Sequence, residues 1–175
     1  LEHGNIAKIL DIGRVDSSHY IALEYVQGKS LRTLIDRTAA QRGWVPLDVT
    51  VQIIRDVCRG LDYAHGRTDA AGRPLEIVHR DVSPQNVLVG FSGAVKLIDF
   101  GIAKAAGEIT RTQAGSIKGK TGYMSPEQVR GLPIDRRSDV FSLGICLWET
   151  LTASRLYEAP NELMVIEKIR ATVPL

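Results

Sequence analysis

Between two short β-prone runs, Val87-Leu88-Val89 and Val95-Lys96-Leu97-Ile98, Gly90 to Gly93 turns the chain. Such spacing makes an antiparallel hairpin. In a hairpin the residue before the first strand and the residue after the second lie together at the open end. Here those residues are Asn86 and Asp99. Asp81 precedes Asn86 in a tight loop bounded by Pro84. Two carboxylates and an amide therefore converge on one spot. Hard oxygen donors of this kind suit Mg²⁺, which takes one or two protein oxygens and fills its shell with phosphate and water. Phe100 and Gly101 follow Asp99, and the glycine allows a hinge there.

The flanking sequence is mixed. Ile6 to Ile12 and Tyr20 to Val26 read as strands around a turn at Val15-Asp16-Ser17-Ser18. Leu31, Leu34 and Ile35 mark one face of a short helix. A longer helix starts at Pro46 or Leu47, with Val49, Ile53, Val57, Leu61 and Ala64 recurring every three or four residues. Thr68 to Pro74 is polar and reads as a loop. Gly101 to Ser125 shows little periodicity, and a stretch that long is usually functional or disordered. Pro126 opens a short helix. Ser138 starts a helix with an almost wholly apolar middle, expected to be buried, and Asn161 caps a last one carrying Leu163, Ile166 and Ile169. The expected class is α+β.

Composition excludes several functions. The net charge of +2 at pH 7 gives no field for nucleic acid or an anionic membrane. The longest apolar run, Val140 to Trp148, is interrupted by Ser142 and Gly144 and is far too short to span a bilayer. Cys58 and Cys146 cannot make a disulfide framework; they read as buried thiols in a reducing, cytoplasmic setting. The chain begins at Leu1 without a signal peptide and reads as a piece of a longer protein, which could be membrane-anchored elsewhere.

Three motifs stand in fixed order: His79-Arg80-Asp81-Val82-Ser83-Pro84-Gln85-Asn86, Asp99-Phe100-Gly101 and Ser125-Pro126-Glu127. They match H-R-D-x-x-x-x-N, D-F-G and a variant of A-P-E. The chain thereby resembles the eukaryotic-like (Hanks-type) protein kinase family, in particular its bacterial Ser/Thr branch. The resemblance implies a kinase-like fold, with residues 1–26 as the edge of the N-lobe and the hinge and 27–175 as an incomplete C-lobe. The glycine-rich loop, the strand lysine and its glutamate would precede Leu1, and the arginine paired with Glu127 would follow Leu175. On its own, such a piece is expected to be inactive.

The resemblance also implies roles. ATP and Mg²⁺ would be the cofactors, and a protein Ser or Thr the acceptor, with self-phosphorylation between copies as a further possibility. Asp81 would take the hydroxyl proton, while Asn86 and Asp99 would hold the metal. Leu23 would be the gatekeeper, Glu24 and Val26 would offer backbone groups to adenine, and Leu88 would pack beneath it; plain core packing explains Leu23 and Leu88 equally well. His79, Phe100, Gly101, Glu127 and Asp139 would give structural support. Arg80 would receive a phosphorylated Thr110 or Thr112.

Two positions depart from the family. Ser83 replaces a lysine of the catalytic loop, and Lys120 replaces a threonine of the activation segment. Either the cation has moved across the site, making Ser83 and Lys120 catalytic, or Lys120 points into solvent. Ser83 is also the one feature favouring the alternative of a pseudokinase, a binding or scaffolding module. A small-molecule phosphotransferase is disfavoured by His79-Arg80-Asp81 and by Ser125-Pro126-Glu127.

If the segment is a switch, Thr110→Ala combined with Thr112→Ala should lower phosphate transfer by the full-length protein at least about tenfold. Comparing initial rates of the two proteins checks this.

Overall fold

A computed structural model describes residues 1–16, 18–100 and 120–172. Strands β1 (Ile9–Val15) and β2 (Ser18–Leu23) pair antiparallel, with Asp16 at φ 54° in the turn. β1 begins later than the expected Ile6, whereas β2 begins at Ser18, earlier than the expected Tyr20, and ends at Leu23. Ile6 instead makes a parallel bridge to Leu97, and the Ala7 N–H donates to the Leu97 carbonyl at 2.8 Å. Most apolar side chains of this ribbon, among them Leu10, Ile12 and Ile21, are exposed.

A second sheet has the order β3-β4-β5, all antiparallel: β3 (Gly28–Ser30), β4 (Val87–Gly90) and β5 (Val95–Leu97). Gly28 opposes Gly90, and a Cβ on Gly28 would sit 2.1 Å from the Val89 carbonyl oxygen. Only glycine lets those two backbones approach so closely.

Helix α1 (Leu31–Ala40) starts where the Ser30 hydroxyl accepts from the Thr33 N–H. Helix α2 (Leu47–His65) buries Ile53, Val57, Leu61 and Ala64 as its periodicity requires, but the buried residue of its first turn is Thr50, and Val49 is exposed. Cys58 lies on the solvent side of α2, contrary to the expectation of two buried thiols; Cys146 is fully buried and its thiol is pushed up by desolvation. Thr121–Tyr123 form a 3-10 turn inside the stretch expected to be irregular. Helix α3 (Pro126–Arg130) opens on a reciprocal capping box between Ser125 and Gln128 and stops at Gly131, φ 67°.

Helix α4 (Arg136–Thr152) corrects the expectation of a wholly buried apolar helix. Val140 is 63% and Trp148 47% exposed, while Ser138, Asp139, Ser142, Glu149 and Thr150 are buried. The inward hydroxyls are satisfied locally: Ser142 donates to the Ser138 carbonyl at 3.0 Å and Thr150 to that of Cys146 at 2.6 Å. Such back-bonding removes the desolvation penalty that otherwise keeps polar groups outside. Helix α5 (Glu162–Ala171) is capped by Asn161 as expected, but it buries Ile169 and leaves Leu163 exposed.

The core joins these layers. Leu31 and Ile35 of α1, Ile53, Val57 and Leu61 of α2, Val87, Val95 and Leu97 of the sheet, and Leu143, Ile145 and Cys146 of α4 form one cluster with Val82 and Tyr123. Asp139 projects from the first turn of α4, 1% exposed. Its Oδ2 accepts from the His79 N–H at 2.8 Å and lies 2.8 Å from the His65 Nε2; its Oδ1 accepts from the Arg80 N–H at 2.8 Å. Removing that carboxylate strands the buried His79 N–H and the part-buried Arg80 N–H and His65 ring. Asp139→Ala should therefore cost about 3 kcal/mol or more of stability, read as a lower midpoint in urea.

Candidate active site

The loop from His79 to Asn86 is held from below. His79 is fully buried and packs against Phe100, with ring centroids 4.4 Å apart and the planes tilted by 45°. Its Nε2 lies 3.0 Å from the Ile98 carbonyl and its Nδ1 accepts from the Asp81 N–H at 3.3 Å. That pattern needs a neutral ring protonated on Nε2. Burial holds the His79 pKa below its ordinary value, outweighing the opposing pull of Asp139. Arg80 adopts φ 66° and Asp99 φ 59°, the left-handed region that non-glycine residues seldom occupy. Asp139 secures the first through the Arg80 N–H, and the Arg80 carbonyl accepts from Gln128 Nε2 at 2.9 Å.

The open end of the β4–β5 hairpin brings Asn86 and Asp81 into contact, with Asp99 one residue beyond its last ladder bond. The Ile98 N–H donates to the Asn86 carbonyl at 3.0 Å, which extends the ladder to the residue before Asp99. Asn86 Nδ2 donates to the Asp81 carbonyl at 2.8 Å and to Asp81 Oδ2 at 2.9 Å. Both amide protons point at Asp81, so the Asn86 Oδ1 remains for a cation. Asp99 is exposed, and no side-chain hydrogen bond engages it among the described residues. An amide oxygen and an unengaged carboxylate at one hairpin end fit a hard, phosphate-bound cation such as Mg²⁺. No cluster of three or more His, Cys, Asp or Glu exists among the described residues, so an all-protein cage is not what this site offers.

The departing positions fall differently. Lys120 Nζ donates to Asp81 Oδ2 at 2.8 Å and does not turn away into solvent. It lines a small pocket with Arg80, Asp81, Val82, Tyr123 and Met124. Ser83 is fully buried, does not line that pocket, and its hydroxyl has no hydrogen-bond partner among the described residues.

At the strand side, Leu23, Val26 and Leu88 are half-buried. The Glu24 N–H is engaged by the Lys8 carbonyl at 2.9 Å, and its carboxylate lies 2.7 Å from Lys96 Nζ. That contact, together with the Lys8 N–H, holds its pKa below the usual range. Glu127 accepts from the Ser138 hydroxyl. Desolvation pushes its pKa up, but the hydrogen bonds from Ser138, its own N–H and Ser125 prevail and lower it. Gly101, Thr110 and Thr112 lie outside the described residues.

Sequence reasoning missed a further constellation beneath the site. Glu149 on α4 is 2% exposed; Arg32 Nη1 donates to its Oε2 at 3.0 Å and the Tyr123 hydroxyl at 2.7 Å. Arg155 Nη1 lies 3.8 Å from the same oxygen and donates to the Tyr123 hydroxyl. Burial and the Glu149 charge push the Tyr123 phenol far up. The one available sequence signal was a glutamate in an otherwise apolar helix stripe, which identifies no partner.

A two-sheet α+β domain with a catalytic-type Asp81–Asn86 loop, braced by a buried aspartate, is the architecture of protein kinases. The model for the protein kinase domain matches residues 1–173, and the chain belongs to that family. It is similar to the tyrosine-protein kinase MasK of Myxococcus xanthus, 43% identical over 169 residues, covering 97% of this chain and 26% of that protein. It is also similar to the serine/threonine-protein kinase PknB of Mycobacterium leprae, 38% identical over 157 residues, 87% of this chain and 23% of that protein. With the serine/threonine-protein kinase PrkC of Bacillus subtilis it shares 34% identity over 175 residues, 99% of this chain and 25% of that protein. The chain thus spans about a quarter of the length of these relatives. No helix among the described residues is long and apolar enough to cross a membrane.

His79 generates a pH prediction. Its folded pKa is depressed, so below about 6.5 the unfolded chain binds a proton that the folded chain refuses. The stability it contributes is present above that pH and is lost as pH falls. Urea midpoints should drop between roughly pH 7.5 and pH 5.5, and the drop should shrink in His79→Gln.

Proposed function

We propose that the protein containing this chain is an ATP-dependent protein Ser/Thr kinase. The observation that carries this reading is the Asp81 carboxylate held 2.9 Å from the Asn86 amide at the hairpin end that also presents Asp99. An acceptor hydroxyl oxygen attacks the γ-phosphorus of ATP, ADP leaves with the electron pair of the broken bond, and the hydroxyl proton passes to Asp81. Asn86 Oδ1 and Asp99 would hold Mg²⁺, which when bound neutralises phosphate charge. Asn86 fixes the Asp81 side chain through one oxygen, and His79 fixes the loop by accepting the Asp81 N–H.

In this reading residues 1–26 form the upper-lobe edge and hinge, and 27–175 belong to the lower lobe. Leu23, Val26 and Leu88 contact adenine, and the Glu24 carbonyl with the Val26 N–H meets its polar edge; the Glu24 N–H is already taken by Lys8. Arg80 lines the pocket next to Asp81, where it can receive a phosphate on Thr110 or Thr112. The acceptor is a protein Ser or Thr, a second copy of the protein included. Use of ATP goes with a cytoplasmic setting for this segment.

Asp81→Asn should lower kcat about 10³-fold while ATP affinity persists, since it removes the base and not the phosphate holder. Asp99→Asn should instead weaken Mg²⁺-dependent ATP binding. Calorimetric ATP titration beside single-turnover phosphate transfer separates the two; equal loss of binding in both would refute the roles.

A further inference from the structure

Asp81 Oδ2 accepts from the Asn86 amide at 2.9 Å and from the Lys120 ammonium at 2.8 Å. The amide explains how the carboxylate is oriented. The ammonium needs another explanation, because a cation fixed on a general base opposes the arrival of the proton. Lys120 is also not a loose surface side chain. Its carbonyl accepts from the Tyr123 N–H at 3.1 Å, the Tyr123 carbonyl accepts from the Ser142 hydroxyl at 2.7 Å, and the Tyr123 phenol is anchored on Glu149. The backbone that carries Lys120 is thus tied to α4, the helix whose Asp139 holds the Asp81 loop. Its side chain is 31% exposed, on the pocket wall. An ammonium has three N–H donors, and among the described residues Asp81 is the one hydrogen-bond acceptor engaged.

The catalytic loop offers no substitute for this cation. Ser83 is buried in the interior, its hydroxyl without a hydrogen-bond partner among the described residues, and it neither lines the pocket nor bonds to Lys120. Arg80 lines the same pocket.

We propose that Lys120 is a catalytic residue of phosphoryl transfer, its ammonium resting on Asp81 in this structure and donating to the transferred phosphoryl group in the transition state. The inference rests on the kinase reading above. The acceptor oxygen bonds to the γ-phosphorus, the bond to the β–γ bridging oxygen breaks toward ADP, the hydroxyl proton goes to Asp81, and Lys120 keeps all of its protons. As Asp81 becomes neutral its attraction for the ammonium falls, while negative charge remains on the phosphoryl oxygens. The cation follows the charge. A donor already in place at that moment needs no reorganisation, the condition under which a single group is worth the most.

The test uses the full-length protein and Lys120→Ala, Lys120→Met and Lys120→Arg. The alanine and methionine variants should lose about 10²-fold or more in kcat, with ATP affinity and thermal midpoint unchanged. Binding of ADP with aluminium fluoride, a mimic of the transferring phosphoryl, should weaken at least about tenfold in both while ADP alone binds as before. Lys120→Arg should retain more activity than Lys120→Met. Near-normal kcat in the alanine variant overturns the proposal. So does a loss of ATP binding equal to the loss of kcat, which would make Lys120 a structural support. If the unsubstituted protein binds ATP but transfers no phosphate to protein, it is the kinase reading that fails.

Discussion

The carboxylate of Asp139 is the constraint on which the site depends. A charge at 1% exposure is costly unless every lone pair is engaged, and here the two oxygens meet the His79 and Arg80 N–H groups and His65. The contacts lie 60, 59 and 74 residues away along the chain, so one side chain on α4 sets the height and tilt of the whole catalytic loop. The left-handed backbone at Arg80 is a direct result. A conformation that costs of order 1–3 kcal/mol for a non-glycine residue persists only where its surroundings over-determine it, and the Asp139 and Gln128 hydrogen bonds on either side of that residue do so.

From that anchor the rest follows in sequence. The loop carries Asp81 to the end of the hairpin, His79 wedges between the loop and Ile98, and Asn86 ties Asp81 to the first residue of the ladder. The same helix that supplies Asp139 holds the turn bearing Lys120 through Ser142 and Glu149. Asp81, Asn86 and Lys120 are therefore tied to one helix through short runs of hydrogen bonds.

Part of this was legible in the sequence because the signals were local. The hairpin and its open end follow from two short β-prone runs with a glycine-bounded turn, and α2 from a strict three-to-four spacing. Lys120 beside Asp81 was open between solvent and site, and the ion pair settles its place, though not its role. What was illegible was long-range or polar. An apolar-looking stretch does not reveal that α4 turns Ser142 and Thr150 inward and Val140 outward, because back-bonded hydroxyls bury almost as readily as methyl groups. Cys58 was misplaced for the same reason: composition gives a thiol's average habit, and the face of α2 decides the case. Glu149 and Arg32 are 117 residues apart, and no periodicity connects them.

The knot of Arg32, Glu149, Tyr123 and Arg155 has a consequence for how this sequence can change over time. Glu149 is buried with partners from α1, from the 3-10 turn and from the loop after α4. Loss of any one leaves a charge or a phenol uncompensated, whereas replacing the set together by apolar residues need not be costly. The four positions are thus locked to one another along most evolutionary routes. A drift that starts at Arg32 must pass through a destabilised intermediate, and the non-additive energies of the four side chains would record that barrier.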